Sequence, residues 1–203
     1  MQVTSSPLLV TSSAKLNVST LAELIAAAKA QPGKLNYGST GNGTAVHLHG
    51  EVLKASAGLD VLHVPYKGGP DAVQALITGD IAFMVANLEL ALPQVRGGRV
   101  RALAVTGSRR IAALPEVPTL REAGVAGTEV TTWFGLFAPA GTPKAVVDRL
   151  QRDAATSLQD LAKRSVVPAD EAVGSTPEQF AAFVRAEHAK WGEVIKNIGL
   201  KIE

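Results

Sequence analysis

"KLNYGSTGNGTAVHLHGE", residues 34–51, holds four glycines, two threonines, a serine and two histidines in eighteen positions. Its β-prone start, LNYGS, runs into a glycine turn and leaves it as an amphipathic run over about residues 44–57, so the stretch reads strand, loop, helix. The same order recurs without repeating the sequence: VLHVPY leads to a helix near 70–78, IAFMVAN to one near 88–96, and VRALAVT to a further turn. Strands alternating with helices predict βαβ units, whose right-handed crossovers give a parallel sheet covered on both faces. The expected class is therefore α/β, a parallel-rich open sheet lobe with flanking helices.

Upstream, PLLVTS (7–12) predicts a short strand, and Thr20 with Glu23 forms a capping box that starts a helix near Leu21, ended by Pro32-Gly33. Past Thr106 the pattern changes. GSRRIAALPEVPTLREAG is a Pro-punctuated connection with a short helix, and TEVTTWFGLFAPAGTP a long strand-like run ending in a turn. Thr142 then caps a helix with Pro143 in its first position. In the last element Thr176 caps, Pro177 follows, Gln179 completes a box, and Phe180, Phe183, Val184, Trp191, Val194, Ile195 and Ile198 keep helical spacing. That stripe is expected to pack against a sheet rather than to hold a cofactor.

The 203 residues suffice for one sizeable core or two small lobes, and a composition 46% apolar but only 4% aromatic suits helices layered on a sheet. Twenty basic against eighteen acidic residues, with no dense Lys/Arg cluster, leave no nucleic-acid footprint, while the mild positive excess suits small anions. The absence of cysteine excludes disulfides, thiolate metal sites and a cysteine nucleophile. No apolar run reaches the roughly 18 residues of a membrane span. The opening MQVTSSPLLVTSS lacks a basic segment followed by a long apolar one, so no secretory signal is read in it.

The opening stretch fails as a P-loop, because no lysine follows its last glycine. It fails as a dinucleotide fingerprint, because Gly38, Gly41 and Gly43 are spaced G-x-x-G-x-G. His47 and His49 lie about 200° apart on a helix and cannot share an ion. His47 and Glu51 share a face, but two ligands make no site, and no metal or cofactor is expected. What remains is a flexible loop bearing Ser39, Thr40, Asn42 and Thr44 at a helix start. Either its backbone N–H groups and hydroxyls cradle a carboxylate or other small anion, or it is an ordinary βα turn. In an open sheet the strand ends share one edge, so residues 38–44, Tyr66–Gly69, Asn87–Glu89 and Thr106–Arg110 should face a common crevice. Tyr66 would donate a hydrogen bond there. Lys67 would add charge or be a plain surface lysine, and Asn87 would contact ligand or cap its helix. No Ser-His-Asp order, G-x-S-x-G elbow or carboxylate pair appears in these loops, so no catalytic residue is expected.

Three blocks carry a family resemblance: LNYGSTGNGTAVHLHGEVLKASAGLDVLHVPYKGG, GDIAFMVANLELALPQVRGGRVRALAVTGSRRIAALPEVPTLREAG and TTWFGLFAPAGTP. Together they closely resemble the Bug/TctC family, extracytoplasmic solute-binding proteins of tripartite tricarboxylate transporters. The resemblance implies a periplasmic-binding-protein type II-like fold of two lobes, closing on a small carboxylate or related solute without chemistry. It implies a ligand loop of Ser39, Thr40, Gly41, Asn42, Gly43 and Thr44, flanked by Tyr66, Lys67 and Asn87. It also implies a periplasmic location and membrane transporter subunits as partners.

Against the family plan, residues 1–110 are expected to form the second (middle) lobe. Residues 111–203 are expected to be the crossover and C-terminal segment returning to a first lobe that is incomplete, its N-terminal part with a Pro-Gly-Gly loop being absent. Impaired solute binding and self-association through faces near Trp133, Phe134 and Phe137 would follow. The competing reading is an α/β acyl- or phosphoryl-transfer enzyme using residues 38–44.

Overall fold

A computed structural model describes residues 1–125 and 129–199. The described residues fold as two compact units, one of residues 7–125, 129–131 and 197–199, the other of residues 1–6 and 132–196.

The larger unit is a sheet with helices. Its elements run β1 (Gln2–Ser13, of which residues 7–13 belong here), α1 (Leu21–Ala30), β2 (Asn36–Ser39), α2 (Ala45–Ala57), β3 (Leu62–Pro65), α3 (Gly69–Thr78), β4 (Phe83–Asn87), α4 (Leu88–Arg96) and β5 (Val100–Val105). The strand order is β3-β2-β4-β1-β5. β2 pairs in parallel with β3 and with β4, as the alternating pattern predicts. β1 departs from that expectation by running antiparallel to both β4 and β5, through Leu9↔Ala86 and Leu9↔Val105. Apolar periodicity marks which residues are strand, but strand direction is set by partners about eighty and more residues away. Leu8, Leu9 and Val10, like Phe83, Met84, Val85 and Ala86, are buried in succession, because both faces of these central strands are covered.

The local signals place the helix ends closely. Thr20 Oγ1 accepts from Glu23 N–H at 3.1 Å, and Glu23 reaches back to Ser19 N–H at 2.6 Å, one residue earlier than a standard box. The short helix expected after Thr106 is instead a hydrogen-bonded turn, Ala123 N–H to the Thr119 carbonyl. Pro115 and Pro118 before it, and Gly124 at φ 86° after it, leave no room to propagate.

The smaller unit holds β6 (Thr131–Gly135, of which residues 132–135 belong here), which pairs with β1, then α5 (Lys144–Lys163) and α6 (Pro177–Ile198, here to residue 196). Thr128, the first residue of the predicted strand-like run, lies outside the described residues. Thr176 and Gln179 exchange the two bonds of a capping box at 2.9 and 3.2 Å. Thr142 does not cap: its hydroxyl donates to the Pro139 carbonyl, and α5 starts one residue later, after Pro143. The aromatic stripe packs as expected, with Trp133 edge-on to Phe180 and Phe183 at 5.7 and 5.3 Å. Gly135 admits the Phe180 ring, since a Cβ there would lie 2.2 Å from its tip.

In the larger unit α2 seats on β2 through one close approach. A Cβ on Gly50 would fall 2.3 Å from Tyr37 Cε2. Gly50→Ala is therefore expected to destabilise the chain by about 1–3 kcal/mol through overpacking, although alanine is the better helix former by about 0.5–1 kcal/mol. Urea denaturation checks this, and a stabilised variant would contradict the packing.

Candidate functional site

The carboxyl ends of β3, β2 and β4 lie side by side, and the predicted residues sit there. Ser39 ends β2, Thr44 is the N-cap of α2, Tyr66 and Lys67 follow β3, and Asn87 ends β4. Tyr66 N–H donates to the Ser39 carbonyl at 3.0 Å, tying two of these loops together. Asn87 stands at the N-cap of α4 without a side-chain cap bond, so its amide is not used by the helix. Lys67 and Asn42 are exposed, and Tyr66 is half-buried. Burial first, and the Asp80 charge second, raise the Tyr66 phenol above its ordinary value and keep it a donor.

The glycine loop is knitted from within. Thr40 Oγ1 donates to Thr44 Oγ1 at 3.2 Å, and Thr44 Oγ1 donates to the Gly41 carbonyl at 2.8 Å while accepting from His47 N–H at 3.4 Å. Gly41 N–H donates to Ser39 Oγ at 3.2 Å, and Gly43 N–H to His47 Nδ1 at 3.1 Å. Among the described residues the N–H groups of Thr40 and Asn42 have no such partner. Gly41 and Gly43 have φ of 131° and 73°, which side-chain-bearing residues rarely adopt. The loop thus combines a pre-formed backbone with donors left over at its rim.

Beneath it lies a polar cluster that sequence reading did not assemble. His63 Nε2 is 2.7 Å from Ser39 Oγ. The His63 ring stacks on His47 at 3.8 Å with 5° between planes, and on Tyr37 at 4.9 Å. Tyr37 OH donates to Glu51 Oε1 at 2.5 Å, and Glu51 also meets Lys54 at 3.5 Å. Burial pushes the Tyr37 phenol well above its ordinary range, with the Glu51 bond adding to it. Burial likewise pushes His63 down to about 4, helped by the neighbouring His47, and lowers His47 against the opposing pull of Glu51. The i, i+4 pair His47/Glu51 was the one sequence signal for this cluster. His63 and Tyr37 join it through the β2–β3 register, which pairs them.

Not every predicted loop is available. Thr106 reaches the same edge, but it is buried and its hydroxyl is spent, accepting from Leu8 N–H at 2.8 Å and donating to the Val130 carbonyl at 2.7 Å. Arg110 is held by Glu122 at 2.9 Å and by the Pro115 carbonyl. No group of three or more metal-ligating side chains occurs among the described residues. Among the described residues no helix is long and apolar enough to cross a membrane.

Comparison with known proteins adds to this geometry. The model of the TctC family, the tripartite tricarboxylate transporter family receptors, matches residues 1–200. The chain belongs to this receptor family. Curated relatives include a UPF0065 protein in the tcbD-tcbE intergenic region of Pseudomonas sp. (strain P51), 39% identical over 86% of the chain. Protein BugT of Bordetella pertussis is 33% identical over 97% of the chain. The chain spans 53% and 61% of these two relatives' lengths.

Similar solved structures include R. palustris Rpa4515 with adipate, at 32% identity and TM-score 0.86, covering 98% of this chain and 68% of that one. MatC of Rhodopseudomonas palustris with bound malate gives 30% identity and TM-score 0.80, over 96% of this chain and 68% of that one. The periplasmic binding protein BugD gives 29% and 0.83, over 100% and 69%. The TctC family is one of receptors and BugD is a periplasmic binding protein, and at these TM-scores the chain shares its α/β fold with all three structures.

Tyr37→Phe removes a hydrogen bond to a half-buried carboxylate while keeping the ring. It is expected to cost about 1.5–3 kcal/mol at neutral pH, read by urea denaturation. Equal stability would show the Tyr37–Glu51 bond to be idle.

Proposed function

We propose that the chain receives a small carboxylate for a tripartite tricarboxylate-type transporter, binding it without chemistry. Ser39, Thr40, Gly41, Asn42, Gly43 and Thr44 form the ligand loop, with Tyr66, Lys67 and Asn87 beside it. The observation that carries this reading is a pre-formed loop with spare backbone donors at the ends of three adjacent parallel strands, the place where open α/β sheets take ligands. Neighbours holding adipate and malate support the solute class. The reading extends to a periplasmic location and to the transporter's membrane subunits as partners. Its domain plan takes residues 1–110 as the second lobe and residues 111–203 as the crossover and the segment returning to the first.

Calorimetric titration with malate, adipate and related carboxylates tests this, with Gly43→Val as the control that strains a φ of 73°. Saturable binding by the wild-type chain, weakened at least about tenfold in the variant, is the expected result. Lack of saturation by every acid tried would overturn the reading.

A second reading has one observation behind it. Ser39 Oγ at 2.7 Å from His63 Nε2 matches the first half of an acyl-transfer arrangement. Against it, Ser39 is fully buried and already bonded to both the N–H and the carbonyl of Gly41. Turnover of ester and phosphate panels that Ser39→Ala abolishes would favour the enzyme.

Self-association is proposed from the smaller unit, where Phe134 and Phe137 are 65% and 71% exposed and a groove of about 400 Å³ is lined by Leu136, Phe137, Val147 and Leu150. Sedimentation should show a dimer or larger species that Phe134→Ser with Phe137→Ser dissociates; a strictly monomeric wild-type chain would count against it.

A further inference from the structure

We propose that His47 and His63 are positioning residues, a two-ring latch that holds the glycine loop in shape only while both rings are neutral. The consequence for binding rests on the reading of residues 39–44 as the ligand loop; the latch itself rests on geometry alone.

His47 bonds Gly43 directly, and His63 reaches Gly41 through Ser39. His47 Nδ1 accepts from Gly43 N–H at 3.1 Å, so that nitrogen presents its lone pair and the proton of the neutral ring sits on Nε2. His63 Nε2 contacts Ser39 Oγ, and the same oxygen bonds the N–H and the carbonyl of Gly41 at 3.2 and 3.1 Å. The rings lie face to face, 3.8 Å apart, with His47 only 4% exposed.

Protonation breaks this in a defined way. A proton on His47 Nδ1 turns the acceptor into a donor that faces the Gly43 N–H, and the bond is lost. A charged His63 still donates to Ser39, but it sets a positive charge directly against the His47 ring.

The titratable groups facing the pair are Glu51 and Lys54 from α2 and Tyr37 from β2, and Tyr37 is backed by the apolar Phe83 of β4. Glu51 favours the charged rings and Lys54 opposes them, and these two are themselves paired. Burial outweighs both and keeps the rings neutral. A histidine held below its unfolded value of about 6.5 contributes stability that is complete above that pH. The contribution fades as pH falls toward the folded-state value, about 4 for His63.

The test is amide hydrogen exchange and imidazole NMR on the full chain from pH 7.5 to 4.5, with protection factors corrected for intrinsic exchange. Gly43 protection is expected to fall at least about tenfold, that is about 1.4 kcal/mol, as pH drops, while Val10 in β1 changes less. His47→Asn supplies a non-titrating acceptor near the place of Nδ1. It is expected to keep Gly43 protected at pH 7.5 and to flatten the pH slope. His63→Gln, a second variant, keeps a donor for Ser39 and removes the charge that would stand against the His47 ring, so it should change the pH slope at Gly43 while leaving Gly41 protected. Gly43 protection that ignores wild-type His47 protonation would overturn the latch, as would an unchanged slope in a folded His47→Asn chain.

Titration with malate in parallel separates the two readings. A flattened exchange slope without malate, adipate or related carboxylate binding leaves the latch standing and removes the carboxylate function. Binding whose pH slope is the same in wild type and His47→Asn keeps the function and overturns the latch's consequence for binding.

Discussion

The Tyr37 ring is fully buried at the point where α2 meets the sheet, and the geometry of the loop depends on it. One side of the ring meets the backbone of α2 at Gly50, the only residue type that leaves space for that approach. Its neighbours are Phe83 on β4 at 5.7 Å and His63 on β3 at 4.9 Å, and its hydroxyl reaches Glu51, the next residue along α2. A single aromatic side chain therefore ties three parallel strands to the helix whose N-terminus closes the glycine loop. Because packed interiors yield little, a shift of this ring would be passed to residues 39–44 rather than absorbed.

The loop's own chemistry follows from that rigid support. Its three hydroxyls, on Ser39, Thr40 and Thr44, are engaged with the loop or with the histidines below it, so they shape the backbone more than they reach outward. Outward donors are then mostly main-chain N–H groups, which carry a fixed partial charge and little information about the rest of a solute. On the proposed reading, such a seat would distinguish an anion from a neutral group more readily than one carboxylate from another. The similar solved structures hold different acids, adipate in one and malate in another.

The smaller unit is built on a different principle. Its stability rests on Phe180, buried in the middle of Trp133, Phe137 and Phe183, and on Glu187, whose carboxylate takes the indole N–H groups of both Trp133 and Trp191. Phe134 faces outward, since alternate residues of a strand point to opposite sides and the side of Trp133 and Gly135 meets α6. Phe137, beyond the end of β6, covers Phe180 with part of its ring and leaves the rest exposed.

Local signals in the sequence determined much of this protein: the boxes at Thr20 and Thr176, the strand–loop–helix order around residues 34–57, and the collection of Ser39 to Thr44, Tyr66, Lys67 and Asn87 at strand ends. These depend on interactions within a few residues, which a linear pattern records. The reversed direction of β1, the loss of Thr106 to Leu8 and Val130, the fit of Gly50 over Tyr37, and the meeting of Ser39 with His63 were decided only by tertiary structure. Each joins residues between 13 and about one hundred positions apart, where sheet register or the packing of a helix on the sheet, not local propensity, chooses the partner.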